Sequence, residues 1–221
     1  MLAIIQNYGP LLLKSLGKTV ELCFLSLIFA MIIGLIFALC NVARSRVLNL
    51  IGTVYVDAIR GVPLIVLAYF IYFGLPAGIQ ALGFQFRLTA LNAGIIALSM
   101  NCGAYMAEII RAGIESVDRG QMEAARSLGL TYGKSMRLVV LPQAIKTMIP
   151  SIINQFIITL KDTSILSVIG FPELTNQGKN IAAVNFMVLQ TWAVVGLMYM
   201  IVIITLSKVA KYIERRLKVG R

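Results

Sequence analysis

The chain has 221 residues, of which 59% are hydrophobic and only 13% charged, and its mean hydropathy is +0.87. Soluble domains carry roughly a quarter charged residues, so this composition argues against an ordinary water-soluble domain and for an integral membrane protein. There is no histidine, which removes the commonest general base and a common metal ligand. Cys23, Cys40 and Cys102 lie far apart in apolar runs without CxxC spacing; they read as small buried hydrophobes, and no metal site is expected. The N-terminus lacks a compact basic region, a short apolar core and a small-residue cleavage site, so no cleaved signal peptide is expected.

A spanning helix needs about 20 mostly apolar residues. Leu22 to Ala43 is free of charge and forms the first predicted span. Leu48 to Leu75 is the second; it carries Asp57 and Arg60 and is bent by Pro63. Leu88 to Ala107 is the third, with Glu108 just beyond it. Leu138 to Leu160, holding Lys146, is the fourth, and Asn180 to Ser207 contains the fifth. The polar residues and prolines of the second and fourth spans suit positions inside a bundle, where neighbours satisfy freed backbone groups. No internal repeat or flexible linker is visible, so residues 1–221 read as one helical membrane domain.

Arg44 and Arg46 lie between the first two spans; Arg111, Arg119, Arg126, Lys134 and Arg137 lie between the third and fourth. The tail adds Lys208, Lys211, Arg215, Arg216, Lys218 and Arg221, against Lys14, Lys18, Arg87 and Lys179 on the opposite side. The positive-inside rule then places the N-terminus outside and the C-terminus in the cytoplasm. The net charge of +11 is thereby a topology signal and a contact with anionic lipid, and no nucleic-acid partner is expected.

The polar stretch from Gly120 to Pro142 falls in the cytoplasmic loop between spans three and four. Asp118 followed by Gln121 has capping-box spacing. Met122, Ala125 and Leu128 fall near one helical face, Gly129 suits a left-handed helix end, and Pro142 fixes the start of the next helix. The result is a helix of roughly two turns, too short to be stable alone. It must dock, either on lipid headgroups or in a groove on a partner, and periodicity does not choose.

The spacing Glu123-Ala124-Ala125, three residues, Gly129, nine residues, Val139, one residue, Leu141-Pro142 resembles the EAA loop of bacterial ABC importer permeases, with Val139 where that family usually has isoleucine. "AIRGVPLIV" from Ala58 resembles the family's "IRGTP" element, with Val62 for threonine. "NCGAYMAEIIRAGI" from Asn101 resembles "NSxAYxAEIxRxGI", with Cys102 for serine, and "LKDTSILSVIGFPELTNQG" from Leu160 resembles "KDTSL…IGxxELTxQ". Together these resemble polar amino-acid uptake permeases, and the wording around Lys161 to Gly178 is most like glutamine permeases.

The resemblance implies a five-span all-α permease of the bacterial inner membrane whose short cytoplasmic helix couples to the cleft of an ATP-hydrolysing subunit. Glu123, Ala124, Ala125, Gly129, Leu141 and Pro142 are its coupling residues. It also implies a pair of ABC ATPase subunits, an extracytoplasmic amino-acid-binding protein, and a polar amino acid as cargo. A lone subunit has few helices around a pathway, so a second permease subunit, identical or homologous, is expected. The sequence contains no GxxxxGK[ST] phosphate loop, so ATP and magnesium are expected on the partner, with no cofactor and no catalytic residue in this chain. Two rivals remain at this point: an ion-gradient-driven carrier, which would favour an internal inverted repeat, and a non-transporting membrane scaffold.

The intramembrane polar residues give the candidate substrate pathway. Arg60 is costly in a span unless partnered or wet; Asp57, three residues earlier, is the expected partner. An ion pair that fixes packing and a contact with a substrate carboxylate fit Arg60 equally. Asn101, Tyr105 and Glu108 share one helical stripe, as interhelical glue or as a cavity wall; the wall suits Asn101 and Tyr105, and a pair with Arg111 suits Glu108. Lys161 and Asp162 suit snorkelling to the headgroups, or, by the resemblance, a gate beside the pathway. Gly61-Val62-Pro63 is read as a kink that also exposes backbone groups to a ligand.

Overall fold

The computed structural model describes residues 1–43 and 45–218, in which every regular element is helical. Arg44 and Arg221, counted above as topology signals, lie outside the described residues. We number the elements α1 (Leu2–Asn41), α2 (Arg46–Gly61), α3 (Leu64–Ala81), α4 (Ala90–Glu115), α5 (Arg119–Ser127), α6 (Tyr132–Ile169), α7 (Leu174–Asn185) and α8 (Val188–Lys218). Five of them, α1, α3, α4, α6 and α8, are long and apolar enough to cross a membrane.

The boundaries differ from those predicted. The first helix begins at Leu2 and runs through Lys14, Lys18 and Glu21; its 40 residues extend about 60 Å at 1.5 Å per residue, twice the roughly 30 Å hydrocarbon core. The second span is two helices rather than one bent one. Val62, extended at φ −104° and ψ 130°, obeys the restriction on a residue preceding proline, and the apolar span is α3. Pro142 does not start a helix: α6 has already begun at Tyr132 and passes through a π turn at Met136–Val140, which accommodates the missing N–H. The fifth span loses its first residues to a separate helix, α7, ended by Phe186 at φ 58°.

Helix α4 is the axis of the bundle. Alanine and glycine on its faces let neighbouring backbones come close, which is how helices associate in lipid, where apolar burial gives no drive. A Cβ added at Gly34 of α1 would lie 2.5 Å from Met106 Cβ and 3.1 Å from Gly103 O; one added at Gly103 would strike Ile33. Gly94 meets Leu22, so positions rise together along α1 and α4 and the two run parallel. Gly113 of α4 packs on Ala144 and Met148, whereas Asn101 shares a cavity with Gln155 and Ile158, so α6 runs antiparallel to α4. The inner core is Ala38, Val56, Ala107, Ile110, Ala144 and Met148. A second core, at the other end, joins Leu22, Leu64, Leu67, Leu98 and Leu166. Phe24, Ile28, Ile32, Ile36 and Leu39 of α1 stay exposed and form an apolar stripe on the outside of the bundle.

The close α1–α4 contact is therefore a place to test. Gly34→Val forces the crossing apart and is expected to cost about 1–3 kcal/mol, the usual range for overpacking. Gly17→Ala on the same helix, where nothing lies within 4 Å of the added carbon, should be at least as stable as wild type. Thermal unfolding of the purified variants in detergent checks both; equal stability of the two would refute the packing account.

Candidate functional site

The gap between α2 and α3 opens a cavity of about 490 Å³, lined by Arg60, Gly61, Val62, Pro63 and Leu64 from the break, Asn101 and Tyr105 from α4, and Gln155, Ile158 and Asp162 from α6. Arg60 is the last-turn cation of α2, where the helix dipole favours positive charge. Its guanidinium carbon lies 5.1 Å from the centroid of the Tyr105 ring, within cation–π range, and its Nη1 is 3.9 Å from Glu108 Oε2.

Arg60's close carboxylate is thus Glu108, not Asp57 as the sequence suggested. Asp57 is exposed and lines a second, polar cleft of about 360 Å³ with Asn49, Thr53, Arg111 and Glu115. Residues three apart on a helix are neighbours, but α4 packs across α2 and brings Glu108 over Arg60 instead. Glu108 is itself held by Arg111, whose Nε and Nη2 donate to its two oxygens at 3.1 and 2.6 Å, while Arg111 Nη1 donates to Glu115 at 2.6 Å. The expected Glu108–Arg111 pair is present, and it leaves Arg60 with a long, half-exposed contact worth little by itself. Arg60 also borders both spaces, so its side chain stands between the cavity and the cleft.

Asn101 is 7% exposed, and its side chain finds no hydrogen bond among the described residues. The adjacent Lys161 and Asp162 separate: Lys161 is exposed, and Asp162 is half-buried against the cavity. The sequence reading missed Gln155, only 6% exposed. It lies three and seven residues from Ile158 and Asp162 on one face of α6, a periodicity that could have found it.

The loop helix α5 is built much as expected. Asp118 Oδ1 accepts from Gly120 N at 2.6 Å. The other half of the capping box does not form; Gln121 Oε1 accepts from Gln143 Nε2 at 3.3 Å and ties α5 to α6. Gly129, at φ +85°, closes the helix: its N–H donates to Arg126 O and that of Leu130 to Ala125 O, the paired bonds of a Schellman motif. Of the predicted apolar face only Ala125 is buried and Met122 partly so; Leu128 is 84% exposed. The left-handed turn at Gly129 swings the helix end outward. Glu123, Ala124, Gly129 and Pro142 are exposed, and Leu141 is half-buried beneath them.

The family description "Binding-protein-dependent transport system inner membrane component" matches residues 30–219. The chain belongs to that family. It is therefore an inner-membrane transport component. Among similar proteins, the arginine transport system permease protein ArtQ of Bacillus subtilis is 37% identical, over 95% of this chain and 93% of its own length. The glutamine transport system permease protein GlnP of Escherichia coli K12 is also 37% identical, over 95% and 94%. The crystal structure of an amino acid ABC transporter with histidines superposes with a TM-score of 0.90 at 40% identity, covering 97% of each chain.

One residue of the matched stretch from Leu160 to Gly178 was given no role by the sequence. Glu173, fully buried, caps α7: its carboxylate accepts from the N–H groups of Thr175 and Asn176 and from Tyr199 Oη at 2.8 Å, while Leu174 N donates to Thr19 Oγ1. α7 and α8 of this permease component are pinned at one carboxyl, and α1 joins them through the neighbouring Leu174 N–H. Burial pushes the Glu173 pKa above the ordinary 4.5, outweighing the hydrogen bonds that pull it down. The folded state then holds more protons than the unfolded one between 4.5 and the raised value, so this group's contribution to stability falls as pH rises through that window. Glu173→Gln should remove that slope. Unfolding temperature against pH, compared between wild type and variant in detergent, reads it directly; parallel curves would refute it.

Proposed function

We propose that the chain is the permease subunit of an ATP-driven importer for a polar amino acid, glutamine foremost, working by alternating access. The observation that carries this is the cavity at the α2–α3 break. It presents one guanidinium, Arg60, and one carboxylate, Asp162, to a space large enough for an amino acid. An α-amino acid carries the complementary carboxylate and ammonium, and Arg60's weak internal contacts leave it free to serve as the carboxylate partner. Tyr105 and Glu108 hold Arg60 in place between turnovers, and Lys161 sits outside as part of the gate. The family's binding-protein dependence and the amino-acid transport of its relatives support the same reading.

The remaining parts complete the importer. An extracytoplasmic binding protein delivers the amino acid, and a second permease subunit completes the pathway. Two ATPase subunits, which bind ATP and magnesium, take α5 into their clefts. The exposed Glu123, Ala124 and Leu128 suit α5 to such a groove, since an apolar side chain that protrudes from a short capped helix gains most from a protein pocket.

Two substitutions test this reading in proteoliposomes with the ATPase and binding protein present. Arg60→Ala should lower amino-acid uptake by about tenfold or more, on the scale of one lost charged hydrogen bond. Assembly should be retained, because Arg111 still satisfies Glu108. Loss of assembly before uptake would make Arg60 structural. Gly129→Trp puts a side chain at a positive φ that costs about 1–2 kcal/mol and a bulky ring in open space, on the docking side. ATP hydrolysis should then run without uptake while membrane insertion is normal; fully coupled uptake would refute the docking role.

A further inference from the structure

Two buried carboxamides meet at the cavity from different helices. Asn101 of α4 and Gln155 of α6 are 7% and 6% exposed, and both line it. Asn101's side chain is bonded to no protein group among the described residues, and Gln155's side-chain amide lies near the Cys102 thiol, which is a weak hydrogen-bonding group. Buried amides are ordinarily satisfied, so this pair carries hydrogen-bonding capacity that the fold does not use. Its remaining surface is toward the cavity.

We infer that Asn101 and Gln155 make the membrane cavity itself selective for α-amino acids with a neutral carboxamide side chain. The inference rests on the cavity being the substrate site proposed above, and adds that the permease selects a second time after the binding protein. Charge balance supports it. Arg60 and Asp162 are the two charged groups in the lining, and the carboxylate and ammonium of any α-amino acid answer them. A third charge on the ligand's side chain is left facing Asn101, Gln155, Tyr105 and the apolar Val62, Leu64 and Ile158, where an unpaired charge is costly. A carboxamide brings both a donor and an acceptor, and each protein carboxamide offers the complement of both. Water fills the part of the cavity that such a ligand leaves open.

The test uses the detergent-solubilised permease–ATPase complex without the binding protein, so that selection by that protein is absent. Equilibrium binding is measured for glutamine, arginine and glutamate. Wild type should bind glutamine about tenfold or more tighter than the other two, because a site with dedicated polar partners rejects ligands that leave them unpaired. Gln155→Glu should reverse the order in favour of arginine, and Gln155→Met should lose glutamine affinity while unfolding temperature and assembly stay as in wild type. A reversal of preference is something a merely structural role for Gln155 would not produce. Equal affinity for the three amino acids in wild type, or an unchanged order in Gln155→Glu, overturns the inference and leaves the cavity as a substrate site. Binding of none of them by wild type overturns the substrate site as well.

Discussion

A chain crossing a bilayer has no water to satisfy stray backbone groups, so a broken helix survives only against protein or beside a wet cavity. The break at Val62 and Pro63 is the feature on which the rest of this structure turns. Proline supplies no N–H and forces the residue before it out of the helical region, which leaves the last carbonyls of α2 without helical partners. Gly61 and Val62 line the cavity, which gives such groups a space that water can enter. The same break makes Arg60 a C-terminal residue of α2, where its charge suits the helix dipole, and sets it against Tyr105 and Glu108 of the neighbouring helix. Cavity, cation and its support are thus consequences of one proline.

Helix α4 carries the other half of the arrangement. Its small residues receive α1 on one side and α6 on another, and the side left over bears Asn101, Tyr105 and Glu108 toward the α2–α3 break. Close packing and polar display are therefore divided around one helix. Its last turns hold the ladder from Glu108 through Arg111 to Glu115, and only residues 116–118 separate that ladder from α5. The proposed docking helix is tied by a short, capped connection to the element that supports Arg60.

Much of this was legible in the chain itself. Five spans, the short loop helix, the Asp118 cap and the Gly129 stop all come from local signals, because capping and glycine turns are decided within a few residues. The misplacements have a common origin. Arg60's partner, the exposure of Leu128 and the role of Gln155 depend on which helix lies opposite, and that is a long-range matter. Glu173 was missed for a related reason: a glutamate ahead of a polar helix looks solvated until α1 and α8 close over it.

The sequence by itself determined that the protein is a helical membrane component with five apolar spans, and where its loop helix begins and ends. Those properties come from hydropathy and backbone chemistry summed over neighbouring residues. Only the tertiary structure decided that the second span is two helices with a cavity between them, that Glu108 rather than Asp57 attends Arg60, and that two buried carboxamides face that cavity. Each of these is set by contacts between residues far apart in the chain, whose geometry depends on how closely α1, α2 and α6 can approach the small residues of α4.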